Sequence, residues 1–309
     1  MNIFLVALTY FAYIFIILMY AVKVIKIARL PVHLRWELYP VISEPKGRYG
    51  SAYIEDEREW RKNHGKTVRK GIIYLLKENL KFSEYFKSNR WYWLVLFPWH
   101  IGFILIIVFH ILCFFGALVM IAGNPVAADS VYILGKIFYY GILVCGVISF
   151  ITGAFGSAGL IIKRLADRDL RAFATPQNYL NYVFTLVVFL SGIYAWIFAD
   201  PTFYQYREFW RGVVTLNPVS VEPATAAHII LFDMFLIYLP FTRSMHYITK
   251  FFAFLWVRWD DRPNFRGSKV ESDIKGLLDK PVSWSAPHIK SGRTWAEIVT
   301  EKKHDEKTP

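Results

Sequence analysis

The chain has 309 residues, 55% of them hydrophobic and 18% aromatic, and a formal charge of +12. Several uncharged apolar runs approach twenty residues, enough to cross a hydrocarbon core of roughly 30 Å, which excludes an ordinary soluble domain. No G-x-G-x-x-G or P-loop occurs, so there is no nucleotide domain, and no cysteine run exists that would hold an iron–sulfur cluster.

In chain order the apolar runs predict five spans, at about 3–24, 92–121, 131–162, 179–199 and 225–256. The first lacks a basic leading region and a small-residue cleavage site, so it is expected to remain as a helix. The fold class expected is an all-α integral membrane protein with five transmembrane helices. Residues 1–28 form the first helix, 29–91 a basic loop, 92–257 a four-helix core and 258–309 a polar tail. Within the loop, Pro31, Pro40 and Pro45 predict turn-rich backbone. From Glu57 to Lys87 the pattern becomes helical and basic, with Ile72, Ile73, Leu75, Leu76 and Leu80 on an apolar face. That pattern suits an amphipathic helix on a membrane surface or a partner, and equally a solvated loop with one short helix.

Charge distribution decides against a nucleic-acid patch. Of the 36 Lys and Arg, 14 lie in 29–91, four in 163–171 and 12 in 250–309, whereas 123–130 and 200–224 carry only Arg207 and Arg211. Basic residues accumulate on the cytoplasmic side. The expected topology is therefore N-terminus outside and C-terminus cytoplasmic, in the cell membrane. Trp91, Trp93, Trp99, Trp256 and Trp259 mark the inner boundary, and the aromatic connector 200–224 is expected to cap the outer face. Cys113 and Cys145 lie in apolar spans, where a thiol packs as a small hydrophobe.

Four histidines fall inside the spans: His100 and His110 in the second, His228 and His246 in the fifth. An ionisable or metal-ligating group at that depth points to function. His100 and His110 differ in depth by about 15 Å, and His228 and His246, five helical turns apart, by about 27 Å. Because the two spans run in opposite directions, the pairs are His110 with His228 outside and His100 with His246 inside. Such pairs suit two haem b groups, each held non-covalently by two histidines between helices 2 and 5; no C-x-x-C-H exists for thioether attachment. His33, His64, His288 and His304 lie in polar segments and are expected to be solvated. The competing readings are a histidine-lined transition-metal or proton transporter, and an anchor whose histidines are structural.

The segments WLVLFPWHIGFILIIVFH and HIILFDMFLIYLPFTRSMH resemble the gamma subunit of respiratory nitrate reductase and its relatives. Those relatives include the cytochrome b subunits of the Dsr, Tmc and Hmc complexes of sulfate reducers and the membrane subunit of heterodisulfide reductase. HLRWELYP, WSAPHI and TWAE look closer to the sulfate-reducer branch. The resemblance implies two stacked b haems, quinol exchange near the outer one, and a cytoplasmic iron–sulfur (heterodisulfide-reductase-like) subunit docked on the basic loop and tail. Further membrane and extracytoplasmic redox subunits fit the same picture. The implied activity is electron transfer between menaquinol, or another membrane quinol, and that partner.

In nitrate reductase a glycine precedes the outer-haem histidine and a lysine near the third helix helps bind quinone; here Phe109 precedes His110 and the nearest lysine is Lys136. Lys136 reads either as a quinone contact or as a lysine snorkelling at a helix end. Arg164 and Arg243 are candidates for the inner haem's propionates, with Lys163 and Arg164 serving equally as topology anchors. Asp233 reads either as a relay for quinol protons or as a buried packing group.

Overall fold

A computed structural model of the chain describes residues 2–29, 73, 76, 81–242, 246, 248–249, 266–286 and 289–301. Two compact units partition it: residues 1–21 with 74–245, and residues 22–73 with 246–309.

The first unit is helical. Helix α1 spans Asn2–Ala28 and short α2 spans Ser83–Ser88. Helix α3 (Arg90–Ile121) starts where the Asn89 side chain accepts a hydrogen bond from the Tyr92 amide at 2.9 Å, and stops before Gly123, whose φ of 85° suits only glycine well. Helix α4 (Ile133–Ala166) ends at Asp167. That carboxylate pairs with Lys163 at 2.9 Å and caps α5 (Arg168–Ala172). Helix α6 (Pro176–Phe198) opens with proline at its first position and a Thr175/Asn178 capping box. Helix α7 (Tyr204–Thr215) and helix α8 (Pro223–Tyr238) complete the unit.

Among the described residues, five helices are long and apolar enough to cross a membrane: α1, α3, α4, α6, and α8 with its extension to Phe241. The protein is a multi-pass membrane protein. Their outward faces carry large apolar side chains such as Phe11, Ile107, Ile148 and Leu190, as lipid contact requires.

Helix α3 packs along α4, α4 on α6 and α6 on α8, while α7 lies against α3. The α3–α4 seam is made of small residues. A Cβ on Gly102 would stand 2.5 Å from the Gly153 backbone, and one on Gly156 only 2.4 Å from the Trp99 backbone. Ser149 closes the seam by donating to the Gly102 carbonyl at 2.8 Å. Without a hydrophobic force between helices in lipid, such close backbone approach is what holds them. Helix α1 is tied in by polar bonds: Thr9 Oγ1 donates to Asp233 on α8 at 2.7 Å, and Tyr10 Oη to the Val213 carbonyl on α7.

One expectation is corrected. The fifth span was expected to run unbroken to 256 and to place His228 and His246 five turns apart on one face. The α-helix instead ends at Tyr238, passes into a 3₁₀ turn over Leu239–Phe241 and reaches extended backbone at Thr242 (ψ 174°). Pro240 explains this: it has no N–H for the helix ladder, and its ring crowds the carbonyl four residues earlier.

In the second unit the described tail forms a small folded module. Helix α9 (Lys269–Leu278) is capped by Ser268, and α10 (Trp295–Thr300) by a Thr294/Glu297 capping box. Bridges Pro281–Thr294 and Ala286–Ile289 join the segment between them, burying Val282 and Ile289. Most of the helix expected over 57–87 lies outside the described residues. So do His33, His64, His288, His304, Trp256 and Trp259.

Candidate functional site

Five helices of the first unit, α3, α4, α6, α7 and α8, converge on His110 and His228, which are 5% and 2% exposed. The His110 ring, from α3, lies flat on Phe232 of α8, with centroids 3.9 Å apart and planes 7° from parallel. Phe150 of α4 meets the His228 ring edge-on at 5.1 Å. Tyr206 of α7 borders both histidines, its ring centroid 5.7 Å from His110 and 6.0 Å from His228.

The hydrogen bonds fix the tautomer of each ring. His110 Nδ1 lies 2.7 Å from the Ile106 carbonyl, which can only accept, so Nδ1 carries the proton. Its Nε2 is then a lone pair, to which the Tyr206 hydroxyl donates at 2.9 Å. Burial raises the Tyr206 phenol well above its usual pKa, so it keeps the proton it donates. His228 reaches the same state by another route. Ser191 Oγ donates its only proton to the Val188 carbonyl at 2.8 Å, so it accepts from His228 Nδ1–H at 2.9 Å. His228 Nε2 is buried without a partner. Both imidazoles thus offer an Nε2 lone pair backed by a hydrogen-bonded Nδ1–H, the form in which histidine ligates a metal.

More unpaired groups lie on the neighbouring helices α1, α7 and α8. Trp210 Nε1, Tyr13 Oη, Thr225 Oγ1 and Arg207 Nε are buried without partners. Trp210 lies 6.3 Å from His110 and 5.3 Å from Tyr13, ring to ring. Buried polar groups are rarely left unpaired in a native protein, so such a concentration marks a place built for a polar ligand. The donor set therefore fits a haem iron held by His110 and His228.

His100 sits nearer the other end of α3 and repeats the local device, donating Nδ1–H to the Leu96 carbonyl at 2.9 Å. It is half-buried, against Phe82 at 4.3 Å and edge-on to Trp99 at 4.9 Å. Trp99 in turn meets Tyr182, over whose ring the Arg164 guanidinium lies at 5.5 Å. The structure thus brings Arg164 into the aromatic cluster that holds His100. His246 is exposed and belongs to the second unit, and Arg243 lies outside the described residues.

Asp233 is 1% exposed and takes the Thr9 hydroxyl proton in a hydrogen bond. It follows Phe232, the residue stacked on His110, and Thr9 ties it to α1. Lys136 is exposed on the first turn of α4, roughly 21 Å along the helix from Phe150. The sequence reading missed Ser191, Tyr206, Arg207, Trp210 and Thr9. Arg207 alone had a signal, as one of two basic residues in a connector otherwise free of them.

A Hdr-like menaquinol oxidoreductase cytochrome b-like subunit from Archaeoglobus profundus is 23% identical over 195 residues, covering 59% of this chain. The match spans 56% of that relative, a little over half its length. No solved structure gave a significant match. The nitrate reductase gamma subunit profile matches residues 81–260, more than half of the chain and including His100, His110, His228 and His246, and the chain belongs to that family.

Proposed function

We propose that the chain is a dihaem cytochrome b, the membrane subunit of a complex that moves electrons between a membrane quinol and a cytoplasmic iron–sulfur partner. The observation that carries this reading is the paired state of His110 and His228: Nδ1–H committed on both rings, and one Nε2 buried with no partner. Bound there, haem iron would supply a one-electron carrier whose potential the axial ligands and burial tune. His110 and His228 would hold the outer group, and His100 and His246 the inner, with Arg164 and Arg243 near the inner propionates.

The chain's own residues do the rest. The Ile106 and Leu96 carbonyls and Ser191 orient the imidazoles, and Phe150 and Phe232 fix ring planes and exclude water. Asp233 would take a proton from quinol, with Thr9 holding the carboxyl in position; Lys136 is the second candidate quinone contact. The name of the archaeal relative makes menaquinol the quinol to test first. The N-terminus lies outside and the C-terminus in the cytoplasm, so that residues 29–91 and 258–309 dock the iron–sulfur subunit.

The test is optical. Menaquinol analogue added to membranes carrying the complex should produce the reduced α-band of a b-type haem, and Asp233→Asn should slow its appearance at least tenfold, a typical loss for a missing general base. A preparation with no Soret band would overturn the reading and favour the histidine-lined transporter.

A further inference from the structure

Arg207 is a buried cation that makes no salt bridge among the described residues. It is 2% exposed, one of its terminal nitrogens donates to the Thr202 carbonyl at 2.6 Å, and its Cζ lies over the Tyr139 ring, 5.2 Å from the centroid. Its Nε has no partner. Arg211, one turn on, is spent on an ion pair with Glu208, but among the described residues no ion pair joins Arg207. The nearby carboxylate of Asp200 accepts from the Tyr206 amide at 2.9 Å, at the start of α7, and its charge acts on Arg207 without a salt bridge between them. A buried charge is retained at high cost unless something compensates it, and a guanidinium with a free Nε edge is shaped for bidentate pairing with a carboxylate. Arg207 directly follows Tyr206, whose hydroxyl reaches His110, and it lies close enough to Cys113, three residues past His110 on α3, for the two groups to be electrostatically coupled.

We infer that Arg207 binds a carboxylate, namely a propionate of the haem held by His110 and His228. This rests on the dihaem reading. Lipid phosphate is the other anion a membrane offers, but a residue this enclosed is out of its reach.

The test loads the full-length chain, in a His100→Ala background that leaves the outer site to fill, with iron protoporphyrin or with its dimethyl ester. Soret absorbance reports binding. The diacid should bind about 10-fold or more tightly than the diester, the size expected of hydrogen bonds to a charged group. That preference should vanish in Arg207→Gln and persist in Arg207→Lys. A preference that survives Arg207→Gln would overturn the assignment. Should Arg207→Gln fail to fold, the parent decides alone: equal affinity for diacid and diester overturns it, and a diacid preference kept by Arg207→Lys supports it. A parent that binds neither compound defeats the dihaem reading itself, and the inference with it.

Discussion

Ser191 does for His228 what a backbone carbonyl does for His110, and the two arrangements differ in how they can be broken. Ser191→Ala leaves His228 Nδ1–H without its acceptor and should cost about 10–100-fold in haem affinity at that site, the usual price of losing such a partner. Tyr206→Phe should leave haem loading intact, because the phenol occupies the same His110 lone pair that iron would take. Soret titration of both variants checks the pair; haem lost from Tyr206→Phe and kept by Ser191→Ala would reverse these roles. Asp233 makes a different case. Thr9→Val removes the donor to a buried carboxyl and should destabilise the chain by about 1–3 kcal/mol, whereas Thr9→Val with Asp233→Leu removes both partners and should recover much of that loss. Thermal unfolding of the two variants in detergent measures the difference.

Among the helices, the close contact of α3 with α4 sets the position of Trp99 and His100. An added methyl at Gly156 would meet the Trp99 backbone at 2.4 Å, whereas one at Gly141 would meet only the tip of the Leu112 side chain at 3.3 Å. Gly156→Ala must therefore separate the helices, at a cost of about 1–3 kcal/mol or more, and Gly141→Ala should cost distinctly less because Leu112 can turn aside. Equal melting temperatures for the two would contradict this account of the seam. Length and hydropathy made α1, α3, α4 and α6 legible to within a few residues, because an uninterrupted apolar run has little else to become in a bilayer. Pro240 was equally visible, yet the run LFDMFLIYLPF was read through it: hydropathy registers no backbone break. Helix α7 was hidden for another reason. Its stretch YQYREFWRGVVT mixes aromatic and charged residues, and only packing on α3 determines which of them turn inward. His110 and His228 were readable as polar groups in apolar helices, whereas Ser191 and Tyr206 matter only through contacts made across the fold.

At the scale of the whole molecule, the basic residues fall on alternate connectors. The turn after α4 carries Lys163, Arg164, Arg168 and Arg171, while the connector 122–132 carries none. The proposed orientation follows from that asymmetry. In a background lacking Cys113 and Cys145, a cysteine at Asp129 should react with a membrane-impermeant maleimide in intact spheroplasts, and one at Asp169 only after permeabilisation. The opposite pattern would invert the molecule and exchange its inner and outer sites. The central claim is that His110 and His228 hold one haem together. A pyridine haemochrome assay on the purified full-length chain tests it most directly, applied to the parent, His110→Ala, His228→Ala and the double variant. The account predicts two haems b in the parent and one in each of the three variants, since both residues serve the same iron. A parent without haem, or a double variant that retains as much as the parent, would contradict it.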